Sequence, residues 1–208
     1  MEKTKVRFYL FCILVALIVG CSSLPTGTKL HVVDLWLQDH KIGYRYNYEE
    51  KIVSMPDKSF RWSISYESRD NYLVKTSVDA KGRVLSKELF EKSGSNFSPD
   101  STTEIFRNGT VVNTIKVRYD SVKDIYIQEN ASSEFESYFG TYRVGHVGTD
   151  YFELIFNDSW KLKNGKTGIF DNTVRYYRNT SEGSTDSQEF QQNGELYDTT
   201  KLVSVEKI

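Results

Sequence analysis

The chain has 208 residues, with 27 basic and 28 acidic side chains for a formal net charge of −1, and it carries 14 Tyr, 12 Phe and 3 Trp. So even a balance offers no electrostatic footprint for nucleic acid, and no nucleic-acid partner is expected. The length admits one large β domain or two small ones, and one is the simpler expectation.

In chain order, Lys3, Lys5 and Arg7 precede an apolar run of twelve residues from Phe8 to Val19, which ends on Gly20-Cys21 and turns polar at Ser22-Ser23. This is the layout of a secretory signal over residues 1–20. A permanent membrane span needs roughly 20 apolar residues, so the run is too short for one. The set Ile18-Val19-Gly20-Cys21 resembles the lipobox of bacterial lipoproteins. The resemblance implies cleavage before Cys21, a diacylglycerol on its thiol, and acylation, palmitate included, that ties the chain to a bilayer. Each buried methylene of such an anchor adds about 0.8 kcal/mol. The Ser after Cys21 implies outer-membrane delivery in a bacterium with two membranes. Residues 21–29, broken by Pro25 and Gly27, form the expected tether, and residues 30–208 the expected single β domain.

With residues 1–20 removed the net charge moves to about −3. Cys12 departs with the signal and Cys21 is taken by lipid, so the domain has no thiol for a disulfide, a nucleophile or a metal.

The domain reads as strands. Ile42, Tyr44, Tyr46 and Tyr48 alternate with Gly43, Arg45, Asn47 and Glu49, a strand with one buried face. The pattern returns at Phe60, Trp62, Ile64 and Tyr66, and at Tyr72, Val74, Thr76 and Val78, where the same one-sided burial is expected. Turns are expected at Asp39-His40, Pro56-Asp57-Lys58 and Arg69-Asp70-Asn71. Lys81-Gly82, Asn108-Gly109, Asn164-Gly165 and Asn193-Gly194 mark hairpins. Asn108-Gly109 is the strongest of these, because both central residues of a type I′ turn need positive φ. Ser132–Tyr138 is the one stretch expected as a short helix. The fold class is therefore mainly β, a long antiparallel meander with at most one or two short helices. Accumulated twist should curl it into a half-barrel or barrel.

Chemistry-bearing constellations are sparse. His31, His40 and His146 lie far apart, His40 in an expected turn and His146 in a Gly-rich stretch, and surface or loop positions are expected for them. No nucleophile elbow, paired-ligand spacing or calcium loop occurs, so neither enzymatic activity, nor a metal, nor a cofactor is expected. The aromatic set remains. Tyr44, Tyr46, Tyr48, Trp62 and Tyr66 would line a concave apolar surface suited to a small molecule, or else fill a core.

The run from Trp36 to Tyr44, followed by alternating strands and Asp79-Ala80-Lys81-Gly82, looks like the opening half of envelope proteins built as long antiparallel half-barrels, the lipoprotein-localisation carriers and receptors. The likeness spans residues 34–118 and implies a concave apolar face for acyl chains beneath a helical lid. The resulting expectation is a non-enzymatic, membrane-anchored envelope lipoprotein that binds a hydrophobic ligand or a protein partner on a curved aromatic sheet. A structural or assembly lipoprotein acting only through protein contacts is the alternative, and an envelope hydrolase using His146 the third.

Overall fold

The computed structural model describes residues 29–130, 135–179 and 184–208. The expected signal, Cys21 and most of the tether lie outside these residues. His31–Ile208 forms one compact unit.

The unit consists of one helix, α1 (Val32–Asp39), and twelve strands: β1 (Tyr44–Ile52), β2 (Ser59–Arg69), β3 (Tyr72–Asp79), β4 (Val84–Ser93), β5 (Asn96–Arg107), β6 (Thr110–Asp120), β7 (Ile125–Asn130), β8 (Phe135–Val147), β9 (Tyr151–Leu162), β10 (Thr167–Asn179), β11 (Ser184–Gln192) and β12 (Glu195–Lys207). Every strand pairs antiparallel with its neighbours in sequence. β1 also pairs with β12, from Tyr44↔Lys207 to Ile52↔Asp198, so the meander closes into a ring. Of the two curled forms expected, the closed one is found, and closure leaves no sheet edge open to aggregation.

Local chemistry explains the turns. Asn108 (φ 52°) and Gly109 (φ 81°) both occupy the left-handed region between β5 and β6, as a type I′ turn requires. Bulges such as those at Asn47/Tyr48, Phe90/Lys92 and Val144/Val147 add local twist that helps the wall to bend.

The outer wall carries charge at mid-strand: Arg45, Glu49 and Lys51 on β1, and Arg61, Glu67 and Arg69 on β2. Ion pairs such as Arg175–Glu153 at 2.9 Å and Lys161–Glu136 at 2.8 Å lie on this wall. These charges contrast with the apolar band that membrane-spanning barrels present to lipid. No helix among the described residues is long and apolar enough to cross a membrane.

An eight-stranded barrel is already about as wide as its own side chains can fill, so a ring of twelve leaves a lumen. Helix α1 occupies one end of it. It packs against β5 and β11, opposite walls of the ring, and buries Val32, Val33, Leu35 and Trp36. His31 caps its start: the His31 N–H donates to Asp34 at 2.9 Å, while the Tyr126 hydroxyl accepts from Val32 N at 3.1 Å. At its far end Asp39 pairs with Arg178 of β10.

Three expectations are corrected here. First, Asp39-His40 is not an exposed turn, because Asp39 ends α1 and His40, 2% exposed, is buried behind it. Second, residues 135–138 open β8 rather than forming a helix, and residues 131–134 lie outside the described set. Third, β3 presents the opposite face to that expected. Tyr66 pairs with Lys75, so Leu73, Lys75 and Ser77 point inward while Tyr72, Val74 and Val78 do not. Pairing with β2 decides the register, and Glu88 on β4, directly opposite Lys75, neutralises the ammonium that this register brings inside.

Candidate functional site: the open half of the barrel

The two halves of the lumen differ. Beside α1, the inward residues Tyr46, Tyr48, Ile64, Tyr66, Leu73 and Phe152 are almost wholly buried. This half is a solid core with a polar lattice. His40 Nδ1 meets Trp36 O at 3.0 Å and its Nε2 meets the Tyr48 hydroxyl at 2.9 Å. Lys75 Nζ lies 3.5 Å from the centre of the Trp36 ring and 3.4 Å from Glu88, which also accepts from Ser101 Oγ at 3.0 Å. Burial holds the Lys75 ammonium below its usual pKa, with Glu88 opposing the shift.

The other half ends at the hairpins β1/β2, β3/β4, β5/β6, β9/β10 and β11/β12. There the inward residues keep part of their surface accessible: Trp62 on β2, Asn113 and Ile115 on β6, Asp158 on β9, Asn172 on β10, Phe190 on β11. Cross-strand register assigns these to the inner face, since partners directly opposite share a face and each belongs to the row that contains a buried core residue.

Polar groups line this space without saturating each other. Trp62 Nε1, Asn113 Oδ1 and Asn172 Oδ1 are buried and have no hydrogen-bond partner. Buried polar groups in folded proteins are nearly always paired, at a cost of about 1–3 kcal/mol when they are not. The Tyr138 hydroxyl lies 2.9 Å from Gln128 Oε1 and 3.0 Å from Asp158 Oδ1, with one proton to share between the two acceptors. Burial raises the Asp158 carboxyl, opposed by the Tyr138 hydrogen bond. Three strands around the ring, on β12, Asp198 is pushed up to about 6, first by burial and then by the nearby carboxylate of Glu50.

Gly140 makes room for the Tyr138–Asp158 contact. A Cβ there would lie 2.6 Å from both Asp158 Oδ1 and the Tyr138 hydroxyl. Gly140→Ala is therefore expected to displace both side chains and cost about 1–3 kcal/mol, read as a lower urea midpoint with an unchanged slope.

The five aromatic residues singled out in the sequence separate between the halves. Tyr46 and Tyr48 lie in the packed core, where the Tyr46 hydroxyl accepts from Lys41 N at 2.6 Å and Tyr48 binds His40. Tyr66 is fully enclosed, its ring 5.1 Å from that of His40. Tyr44 is half-buried at the start of β1. Trp62 alone reaches the open half, stacked on Tyr48 at 4.8 Å with its ring nitrogen unpartnered. The structure therefore brings four of them to the α1 end and one to the cavity. Of the histidines, His31 bonds Tyr126, His40 is core, and His146 is exposed at the α1 end, its ring tilted against that of Tyr151 at 4.5 Å. Among the described residues no group of three or more His, Cys, Asp and Glu side chains is placed to hold a metal ion.

Glu50, Asp158, Asp198, Asn113 and Asn172 were not singled out from the sequence. A signal existed for Glu50, which continues the inward parity of Tyr44, Tyr46 and Tyr48, and for Asp158, which continues Leu154 and Phe156. A polar residue in the apolar phase of a strand marks a wet interior.

Fold and site together define an up-and-down β-barrel, plugged at one end by a helix and lined at the other by partly accessible aromatic and carboxylate side chains. No protein-family model matches the chain, and neither the curated proteins nor the solved structures contain a match to it.

Proposed function

We propose that this chain is a membrane-anchored lipoprotein of the bacterial cell envelope whose barrel takes a small amphipathic ligand into its open half, acting by binding and not by catalysis. One observation carries the reading: the lumen is filled at the α1 end only, and in the remainder three buried polar atoms on three separate walls lack partners. A cavity with apolar walls and a few unsaturated polar groups is the usual character of a small-molecule site. The anchor rests on the lipobox-like residues ending at Cys21, and the charged outer wall suits a domain held at a membrane by its terminus rather than embedded in it.

Two measurements test this. Cells fed labelled palmitate should label the full chain and not the Cys21→Ala variant, and equal labelling of the two would overturn the anchor. For the cavity, the barrel unit (residues 29–208) should bind the neutral fluorophore N-phenyl-1-naphthylamine saturably. Ile115→Trp, which adds bulk to the inner wall of the open half, should weaken that binding by about tenfold or more while the far-UV spectrum is kept. Non-saturable binding, or an affinity indifferent to the inserted indole, would sink the ligand reading.

A further inference from the structure

We infer that the ligand of the open half is a cation: an amine-bearing amphiphile whose apolar body lies among the aromatic side chains and whose ammonium is held between Glu50 and Asp198, with Asp158 a further carboxylate on the same inner face. This rests on the binding reading above and specifies the ligand's chemistry.

The first argument is register. Each of the three carboxylates stands directly opposite a phenylalanine on the next strand: Glu50 opposite Phe60, Asp198 opposite Phe190, and Asp158 opposite Phe170. Three walls of the ring thus pair an anion with a π face, the combination that attracts an organic cation.

The second is the imbalance of charge. Among the described strand residues the inner parity of the open half carries a single Lys or Arg, Arg107, which is exposed at the rim where β5 ends. Lys51, Lys87, Lys116 and Arg175 fall on the outer parity of their strands, and the inward Lys75 is committed to Glu88 and Trp36 at the α1 end. Elsewhere in the lumen anions are neutralised, Glu88 by Lys75 and Asp39 by Arg178. Glu50 and Asp198 instead lie close enough for one to raise the other's pKa, which an arriving ammonium would relieve.

The third is the kind of group left without a partner. Asn113 Oδ1 and Asn172 Oδ1 are acceptors lacking donors, so the open half calls for a ligand rich in N–H donors. Trp62 Nε1, the one orphaned donor there, calls for an oxygen on the same ligand.

The test uses three water-soluble probes with one aromatic body: 1-naphthylmethylamine, 1-naphthalenemethanol and 1-naphthoate, titrated into the barrel unit near neutral pH and followed by tryptophan fluorescence. The amine is expected to bind about tenfold tighter than the alcohol, with the carboxylate weakest. Glu50→Gln and Asp198→Asn, each alone and both near-isosteric, should shrink the amine's advantage over the alcohol severalfold. The advantage should also shrink as the pH falls through about 6, where Asp198 takes up a proton while a primary amine stays charged. The groups facing Asp198 are Glu50 and Ile52 on β1 and Phe190 on β11, so no other charged neighbour confuses that titration. Equal binding of amine and alcohol, or a preference untouched by both substitutions, would overturn the cationic assignment alone. Failure of all three probes would instead remove the ligand site itself.

Discussion

Replacing Arg178 with Met is expected to destabilise the barrel by about 3–5 kcal/mol, the usual result of leaving one partner of a buried ion pair alone. The Arg178 Nε lies 3.1 and 3.2 Å from the two oxygens of Asp39, and the side chains are only 13% and 6% exposed. The same guanidinium donates to Gly148 O at 3.1 Å and to Gln38 at 3.3 Å, so it ties the end of α1 to the β8–β9 loop as well as to β10. Thr185 on β11 adds a hydrogen bond to Asp39 at 3.2 Å. Burial leaves the Asp39 carboxyl above its ordinary pKa, with Arg178 and Thr185 opposing the rise. The double variant Asp39→Leu/Arg178→Met should recover most of the loss, because it removes the uncompensated charge while keeping the volume. Urea midpoints of the single and double variants decide the matter. A double variant as unstable as Arg178→Met would show that the guanidinium acts through Gly148 and Gln38, not through Asp39.

The second large effect is loss of stability in acid through His40. The ring is buried, its Nδ1–H donates to Trp36 O, and its Nε2 accepts from the Tyr48 hydroxyl, an arrangement with no place for a second proton. Burial first, and the nearby Lys75 after it, lower its pKa to about 3, against the hydrogen bond to Trp36 O. An unfolded chain protonates this histidine near 6.5, so between about 6.5 and 3 the unfolded state binds a proton that the folded state refuses. Stability from this group is therefore intact above about 6.5 and falls with pH below it, by about 3–5 kcal/mol over the full window. Asp198 acts in the opposite sense, since its raised pKa favours the folded state as the pH drops through about 6. The comparison that isolates His40 is consequently the difference between the wild type and His40→Gln. The wild type should lose its advantage steadily from pH 6.5 to 4, and parallel curves would refute the assignment.

Both effects originate in the plug, and the plug is where residue-by-residue reading of the sequence was least informative. Val32–Asp39 is eight residues long, too short for helical periodicity to be distinguished from a strand, and nearly all of its stability comes from the ring around it. The alternation in β1 and β2 was legible because one face of each is continuously apolar. In β3 the same reading chose the wrong face. The apolar set Tyr72, Val74 and Val78 lies outside, and Leu73, Lys75 and Ser77 face inward, because the register with β2 and the countercharge of Glu88 outweigh the preference of three side chains. The site was hidden for a related reason. Glu50, Asp158 and Asp198 are 40 to 148 residues apart along the chain and share one inner face only because β1 pairs with β12 and β9 stands in the same ring.

The sequence by itself determined a mainly β chain with hairpins at Asn-Gly and Lys-Gly turns, because turn chemistry and two-residue alternation are local properties. It also carries the lipobox-like residues before Cys21, on which the envelope assignment is proposed. Only the tertiary structure decided that the meander closes, that a helix fills one half of the lumen, and that polar side chains line the other. Those outcomes depend on how many strands complete the ring and on which partner each residue meets across it. A ring of twelve is wider than its side chains can fill, so room for a plugging helix follows from strand number and closure, quantities that no single segment of the chain encodes.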